Sequence, residues 1–157
     1  MVILADTEVL FGMNKDDPQY PSLKTILEIA GREVLIPQIA FLEFILVINS
    51  QQLETHELEE LIETVEAILK IYSVQQSSFS LTQILEGIKI HRTVFKSQKG
   101  KFFDSLIIGT ALTLNLPILG NDRVFSEDYV QKKVPQLHSL TFQQFLEEKK
   151  KFGYSGF

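Results

Sequence analysis

The chain contains no cysteine, which excludes a disulfide framework, a zinc–thiolate site and a thiol nucleophile. Any bound metal must therefore be held by oxygen or imidazole ligands. Glycine and proline are sparse, 8 and 5 of 157 residues, too few for a fibrous or low-complexity chain. Long apolar runs are missing as well. The longest, Val34 to Ile48, is broken by Pro37, Gln38 and Glu43 and falls short of a bilayer span. The opening Met-Val-Ile-Leu-Ala-Asp carries no basic residue ahead of its apolar run, which ends within five residues, too short for a signal peptide. A cytoplasmic protein without membrane association is the expectation.

What is present points to a folded chain. Hydrophobic residues make up 45% and charged residues 22%, too apolar for disorder. The length fits one domain and allows roughly 68–70% of the unfolded surface to be buried. A net charge of −5 argues against a protein whose whole surface coats nucleic acid. That charge is uneven, because Glu54 to Glu66 holds six glutamates and no lysine or arginine. The rest of the chain is close to neutral. Neither an internal repeat nor a linker is visible, so residues 1–148 read as one unit. A short flexible basic tail is expected over 149–157.

Short apolar strands alternate with helical patterns. Val2–Ala5 suits a buried strand ended by Asp6. After a polar turn, Ser22–Ala30 has Leu23, Ile26, Leu27 and Ala30 at helical spacing, with Gly31 where a C-cap belongs. Glu33–Ile36 is a second strand, and Pro37 suits the first turn of a helix over about Gln38–Ser50. A helix spans Thr55–Tyr72. Another is opened by a capping box, Ser80 with Gln83, and runs from Leu81 to about Phe95. Phe103–Asn115 reads as a buried helix and Pro117–Leu119 as a strand. A strand near Leu137–Leu140 leads to a final helix capped by Thr141 and Gln144. Alternation of this kind predicts an α/β fold, a mainly parallel sheet with helices on both faces.

Four carboxylates lie in unexpected surroundings. Asp6 and Asp122 directly follow apolar strands. Glu43 is the only charge between Gln38 and Gln52, and Asp104 the only one between Phe102 and Asn121. An unpaired carboxylate in such a helix costs several kcal/mol of desolvation unless a cation or hydrogen bonds offset it. Ordinary readings exist for each. Asp6 would cap a helix starting at Thr7, Asp104 one starting at Ser105, and Asp122 would be a turn residue. Glu43 would pair with a lysine or arginine. The joint reading is different. In an open parallel sheet, ligands bind beyond the carboxyl ends of the strands, where these acids converge. Four carboxylates cannot all stay ionised there without a cation. Oxygen-only ligation suits Mg²⁺ or Mn²⁺, which activates water and stabilises the leaving oxygen of a phosphodiester.

Asp6-Thr7-Glu8-Val9-Leu10, Glu43 in its apolar helix, Asp104-Ser105-Leu106-Ile107 and Gly120-Asn121-Asp122-Arg123-Val124-Phe125 together resemble the PIN domain family. The resemblance covers roughly Val2 to Leu146, and the order of the four parts carries it. It implies a three-layer α/β/α sandwich and a metal-dependent endoribonuclease using Mg²⁺ or Mn²⁺ to hydrolyse RNA. The family includes toxins of VapC-type toxin–antitoxin modules, so an antitoxin protein is an expected partner, and its members frequently form homodimers. Its four acidic positions fall on Asp6, Glu43, Asp104 and Asp122, with Thr7 and Asn121 in support. Two positions depart from the family pattern. Glu8 stands where Asn or Ser is common, and Gly120 where Ser or Thr usually precedes the last acid by two residues.

Between Gly87 and Phe103 the chain carries Lys89, Arg92, Lys96, Lys99 and Lys101 and no acid. Lys89, Arg92 and Lys96 share a helix face by spacing. This stretch is either a solvated surface or a rim that positions RNA phosphates, with Arg123 serving the same end. His56, His91 and His138 lack metal-ligand spacing. Phe41, Phe44, Ile45 and Ile48 exceed what one sheet face needs and suggest a subunit interface. Two other functions stay open. One is a PIN module without chemistry, acting as an RNA- or protein-binding scaffold. The other is a phosphatase of the haloacid-dehalogenase type with Asp6 as nucleophile, which expects a second Asp where this chain has Glu8.

Overall fold

The computed structural model describes residues 1–153. Five parallel strands form one sheet in the order β3-β2-β1-β4-β5. They are β1 (Ile3–Ala5), β2 (Val34–Pro37), β3 (Gln75–Ser77), β4 (Ile118–Leu119) and β5 (Ser139–Leu140). Ile3, Leu4 and Ala5 are all fully buried. Successive strand side chains point to opposite faces, so the central strand is covered on both sides. The three-layer α/β arrangement is thus the one found.

Among the described residues eight α-helices connect and flank the strands: α1 (Glu8–Phe11), α2 (Tyr20–Ala30), α3 (Gln38–Asn49), α4 (Thr55–Ile71), α5 (Leu81–Thr93), α6 (Phe102–Leu114), α7 (Asp128–Lys133) and α8 (Phe142–Lys151). The chain runs outward from β1 through β2 to β3, then returns across the sheet to β4 and β5. The direction of winding therefore changes between β1 and β4. That is where an open parallel sheet leaves a crevice beyond its strand ends.

The boundaries depart from the sequence reading in ways with physical causes. Helix α2 begins at Tyr20 because Pro21 occupies its first turn, where a missing N–H costs nothing. Gly31 is the C-cap of α2 as expected, but it stays right-handed and leads into a 3₁₀ turn, Gly31–Glu33. Pro37 is the N-cap of α3, not its first turn. The polar edge strand β3 and the short helices α1 and α7 are additional elements. Helices α5 and α6 cross at very close range. A Cβ at Gly109 would lie 2.3 Å from the Gly87 backbone nitrogen, and one at Gly87 would lie 2.8 Å from the Leu106 Cα.

The expected flexible tail is corrected over its first residues. Helix α8 continues to Lys151, and Lys149 is buried with its ammonium on Glu33. Burial pushes the Glu33 carboxyl up, but hydrogen bonds and charges from Lys149 and the Met1 amino group hold it below the usual range. This pair ties the final helix to the entry of β2. The rest of that segment, 154–157, lies outside the described residues.

Candidate active site

Each acid reaches the crevice from a different element. Asp6 follows β1, and its N–H donates to the Leu119 carbonyl at 3.0 Å, extending the β1–β4 ladder by one residue. Its side chain is only 5% exposed. Thr7, not Asp6, is the N-cap of α1, so the capping reading of Asp6 fails. Asp104 is the third residue of α6, which begins at Phe102, and so does not cap it either. Glu43 lies in the second turn of α3, half-buried, and the ion pair expected on its ordinary reading is absent among the described residues. Asp122 does act as a cap. Its Oδ1 accepts from the Val124 N–H at 3.0 Å and opens the 3₁₀ turn Arg123–Ser126.

The electrostatics show that these groups share one space. Burial first, then the charges of Glu8, Asp104 and Glu43, drive the Asp6 carboxyl well above the usual range, opposed by the Thr7 backbone N–H. Asp104 is raised to about 7 by burial and by the charges of Asp122, Glu43 and Glu8, with Lys101 opposing. Burial raises Glu43 too, Asp122 adds to it, and the Thr7 side chain opposes. The Thr7 hydroxyl is buried near enough to Glu43 to hold its carboxyl down somewhat, yet among the described residues it has no partner of full hydrogen-bond geometry. An orphaned buried hydroxyl costs roughly 1–3 kcal/mol.

Glu8 is a fifth acid of this group, which the sequence reading took only as a departure from pattern. It is half-buried, and burial raises its carboxyl, opposed by backbone N–H groups of Asp122 and Asn121 and by Gln19. The distance from the Asp122 nitrogen to Glu8 Oε1 is 2.9 Å. The signal that could have found it is an acid two residues beyond Asp6, at the mouth of the same crevice. Asn121 turns elsewhere. Its Oδ1 accepts from the Phe142 N–H at 2.8 Å, anchoring the loop to the start of α8.

Does this set fit a divalent cation? Its donors are hard oxygens, and among the described residues no lysine or arginine forms an ion pair with any of the five acids. The unpartnered Thr7 hydroxyl stands among them. The chemistry therefore fits Mg²⁺ or Mn²⁺. Among the described residues no three such side chains close into a ready ligand set, and mutually repelling carboxylates without a cation have reason to stand apart.

The basic residues are less unified. Helix α5 ends at Thr93, and Lys96 lies beyond it in a left-handed turn with φ 50°. It therefore does not continue the face of Lys89 and Arg92. Lys89 is engaged with Glu86 at 3.3 Å. Lys101 is near enough to Asp104 to lower its pKa. Arg92, Lys96, Lys99 and Arg123 are exposed. His91 is structural, bonded through Nε2 to the Gln98 carbonyl at 2.7 Å. On α3, Phe44 and Ile48 are core residues at 3% and 2% exposure, so they cannot belong to an interface. The exposed apolar side chains there are Leu42, Ile45, Leu46 and Val47.

Comparison with known proteins agrees with this architecture. The sequence profile described as PIN domain matches residues 3–129. No curated protein matches the chain in sequence. Among solved structures, FitAcB from Neisseria gonorrhoeae is similar with a TM-score of 0.65 at 20% identity, covering 90% of this chain and 99% of its own. VapBC2 from Rickettsia felis, bound to a promoter DNA fragment, gives 0.61 at 16% identity over 90% and 98%. A toxin–antitoxin complex from Klebsiella pneumoniae gives 0.54 at 16% identity over 89% and 97%. At such identities the likeness is one of fold.

Proposed function

The chain belongs to the PIN domain family, a family of nucleases, and from that premise we propose that it is a divalent-metal-dependent endoribonuclease. One observation carries the reading: at the winding switch between β1 and β4 five acids lie near enough to feel one another's charge, and among the described residues no lysine or arginine forms an ion pair with them. Asp6, Glu43, Asp104 and Asp122 would hold Mg²⁺ or Mn²⁺. When bound, such an ion supplies Lewis-acid activation of water and neutralises charge gathering on a phosphodiester.

The chain's own residues have distinct tasks. Asp6 is the most deeply set acid, fixed between two strands. Asp104 enters from α6 beside Lys101, whose ammonium is suited to a phosphate oxygen. Arg92, Lys96, Lys99 and Arg123 stay exposed for the RNA backbone, which such contacts position without reading sequence. The phenylalanines lie mostly in or against the core, so a sequence-indifferent grip fits better than base readout.

The reading extends to partners. Structural relatives are complexes of the VapBC and FitAB kind, and an antitoxin protein is proposed for this chain on that analogy of fold. Homodimerisation is proposed through Leu42, Ile45 and Leu46 of α3, the part of the apolar face that the core leaves exposed. Among the described residues no helix is long and apolar enough to cross a membrane.

A scaffold without chemistry is favoured by one observation, the lack of a ready ligand set among the described residues. Incubating structured and single-stranded RNAs with and without Mn²⁺, beside Asp104→Asn, decides between the two. The nuclease reading expects Mn²⁺-dependent cleavage by the wild type and loss of at least about 100-fold in the variant, about 2.7 kcal/mol of barrier. Equal RNA turnover by both, or none by either, sinks it.

A further inference from the structure

The 120–122 loop delivers Asp122, the most exposed of the acids, from the end of β4. Three bonds hold that loop. Gly120 N–H donates to the Leu140 carbonyl at 2.9 Å, Asn121 Oδ1 accepts from Phe142 N–H at 2.8 Å, and Asp122 N–H donates to Glu8 Oε1 at 2.9 Å. The first two tie the loop to β5 and α8, away from the crevice. The third ties it to the β1 side, across a sequence separation of 114 residues, and the Asn121 backbone N–H also faces the Glu8 carboxylate. The other carboxylate oxygen of Glu8 faces Gln19 Nε2, at 3.5 Å.

That third bond needs room. A Cβ at position 120 would stand 2.8 Å from Glu8 Oε1, 3.0 Å from Asp6 Cβ and 3.4 Å from Asp6 Oδ2. Gly120 does not have the positive φ that would require glycine, so its lack of a side chain serves space alone. The closest atom it would meet is the end of a mobile side chain, which can swing aside. Swinging aside breaks the bond to Asp122 and leaves the fold standing.

We propose that Glu8 and Gly120 form a matched pair in which Glu8 is a positioning residue for Asp122 and Gly120 provides the space its carboxylate occupies. The inference rests on the metal-site reading above, since it assigns the pair to that site. Both departures from the family pattern noted in the sequence thereby have one cause. Toward Asp122, Glu8 acts as a hydrogen-bond acceptor, so a glutamine, whose carbonyl oxygen also accepts, can replace it there. Gly120 acts mainly through Glu8, so replacing it adds little once Glu8 is gone, the remaining close approach being to Asp6 Cβ at 3.0 Å.

The test is Mn²⁺ titration calorimetry on the full chain, with the Asp122 amide followed by NMR hydrogen exchange in each folded variant. Supporting partners of metal ligands typically change affinity 10–100-fold. Glu8→Ala and Gly120→Ala are each expected to weaken Mn²⁺ binding about tenfold and to speed exchange at Asp122. The double variant should be weakened about tenfold as well, not about 100-fold, and Glu8→Gln should stay within about threefold of wild type. Glu8→Gln binding as poorly as Glu8→Ala overturns the positioning role, and additive losses overturn the pairing. Wild-type affinity in both alanine variants overturns the inference alone. A wild type that binds no Mn²⁺ overturns the metal-site reading, and the inference with it.

Discussion

Asp104 carries the cost of the site in one side chain. With its carboxyl raised from 3.8 to about 7, the folded state holds a proton that the unfolded state releases, so stability falls as pH rises through that interval and levels off above it. Asp6, Glu8 and Glu43 are displaced in the same direction. Asp104→Asn removes the part of this loss that belongs to Asp104. In chelator-treated protein at pH 8 the variant is expected to be more stable than wild type, by about 2–4 kcal/mol, with a shallower decline of Tm between pH 4 and 7. Added Mn²⁺ should raise the Tm of wild type and leave the variant unmoved. Thermal melts across that pH range check both, and a variant less stable than wild type at pH 8 contradicts the argument. The four main acids were legible because a lone charge in an apolar segment stands out. Glu8 was not assigned to the site, because its partner is a backbone N–H 114 residues further along the chain, and only its position two residues beyond Asp6 hinted at it.

At the scale of elements, α6 has to bring Asp104 to the crevice, and its seat is set by contact with α5. Gly87 and Gly109 let the two backbones meet. A methyl at Gly109 would press on backbone atoms that cannot swing aside, so the helices must separate. Gly109→Ala is expected to cost about 2–3 kcal/mol, near the upper end for overpacking, which corresponds to a fall in Tm of about 4–12 °C. Denaturant unfolding measures it, and a variant within about 0.5 kcal/mol of wild type shows that the crossing yields without cost. The sequence marked α5 by its capping box and α8 by a second one, and both are present. Strand β3 escaped notice because Gln75, Gln76 and Ser77 lie at the sheet edge, where burial does not demand apolar residues. Helices α1 and α7 are too short for a 3.6-residue period to emerge.

Over the whole molecule, charge is divided between regions. The acid-rich part of α4, Glu57 to Glu66, lies mostly on exposed positions, while the basic turn between α5 and α6 adjoins Asp104. If that turn grips RNA, replacing Lys96, Lys99 and Lys101 with Ala removes up to three phosphate contacts. The slope of log affinity against log salt should then shrink by up to about 2 for a single strand. Filter binding of a non-cleaved RNA by Asp104→Asn, with and without the three changes, measures it. An unchanged slope assigns the basic turn to solvent. The overall strand arrangement was visible in outline from the alternation of patterns, but the strand order was not, since the return of the chain from β3 to β4 depends on packing that no local spacing records. That return also bears on folding. Strand β1 lies between β2 and β4 and pairs Ala5 with Leu119, so the sheet is completed by one of its longest loop closures. Such contacts repay their entropy late, and the carboxylates meet only when this one forms. On the proposed metal-site reading, a chain emerging from the ribosome therefore carries Asp6 and Glu43 well before it carries a site.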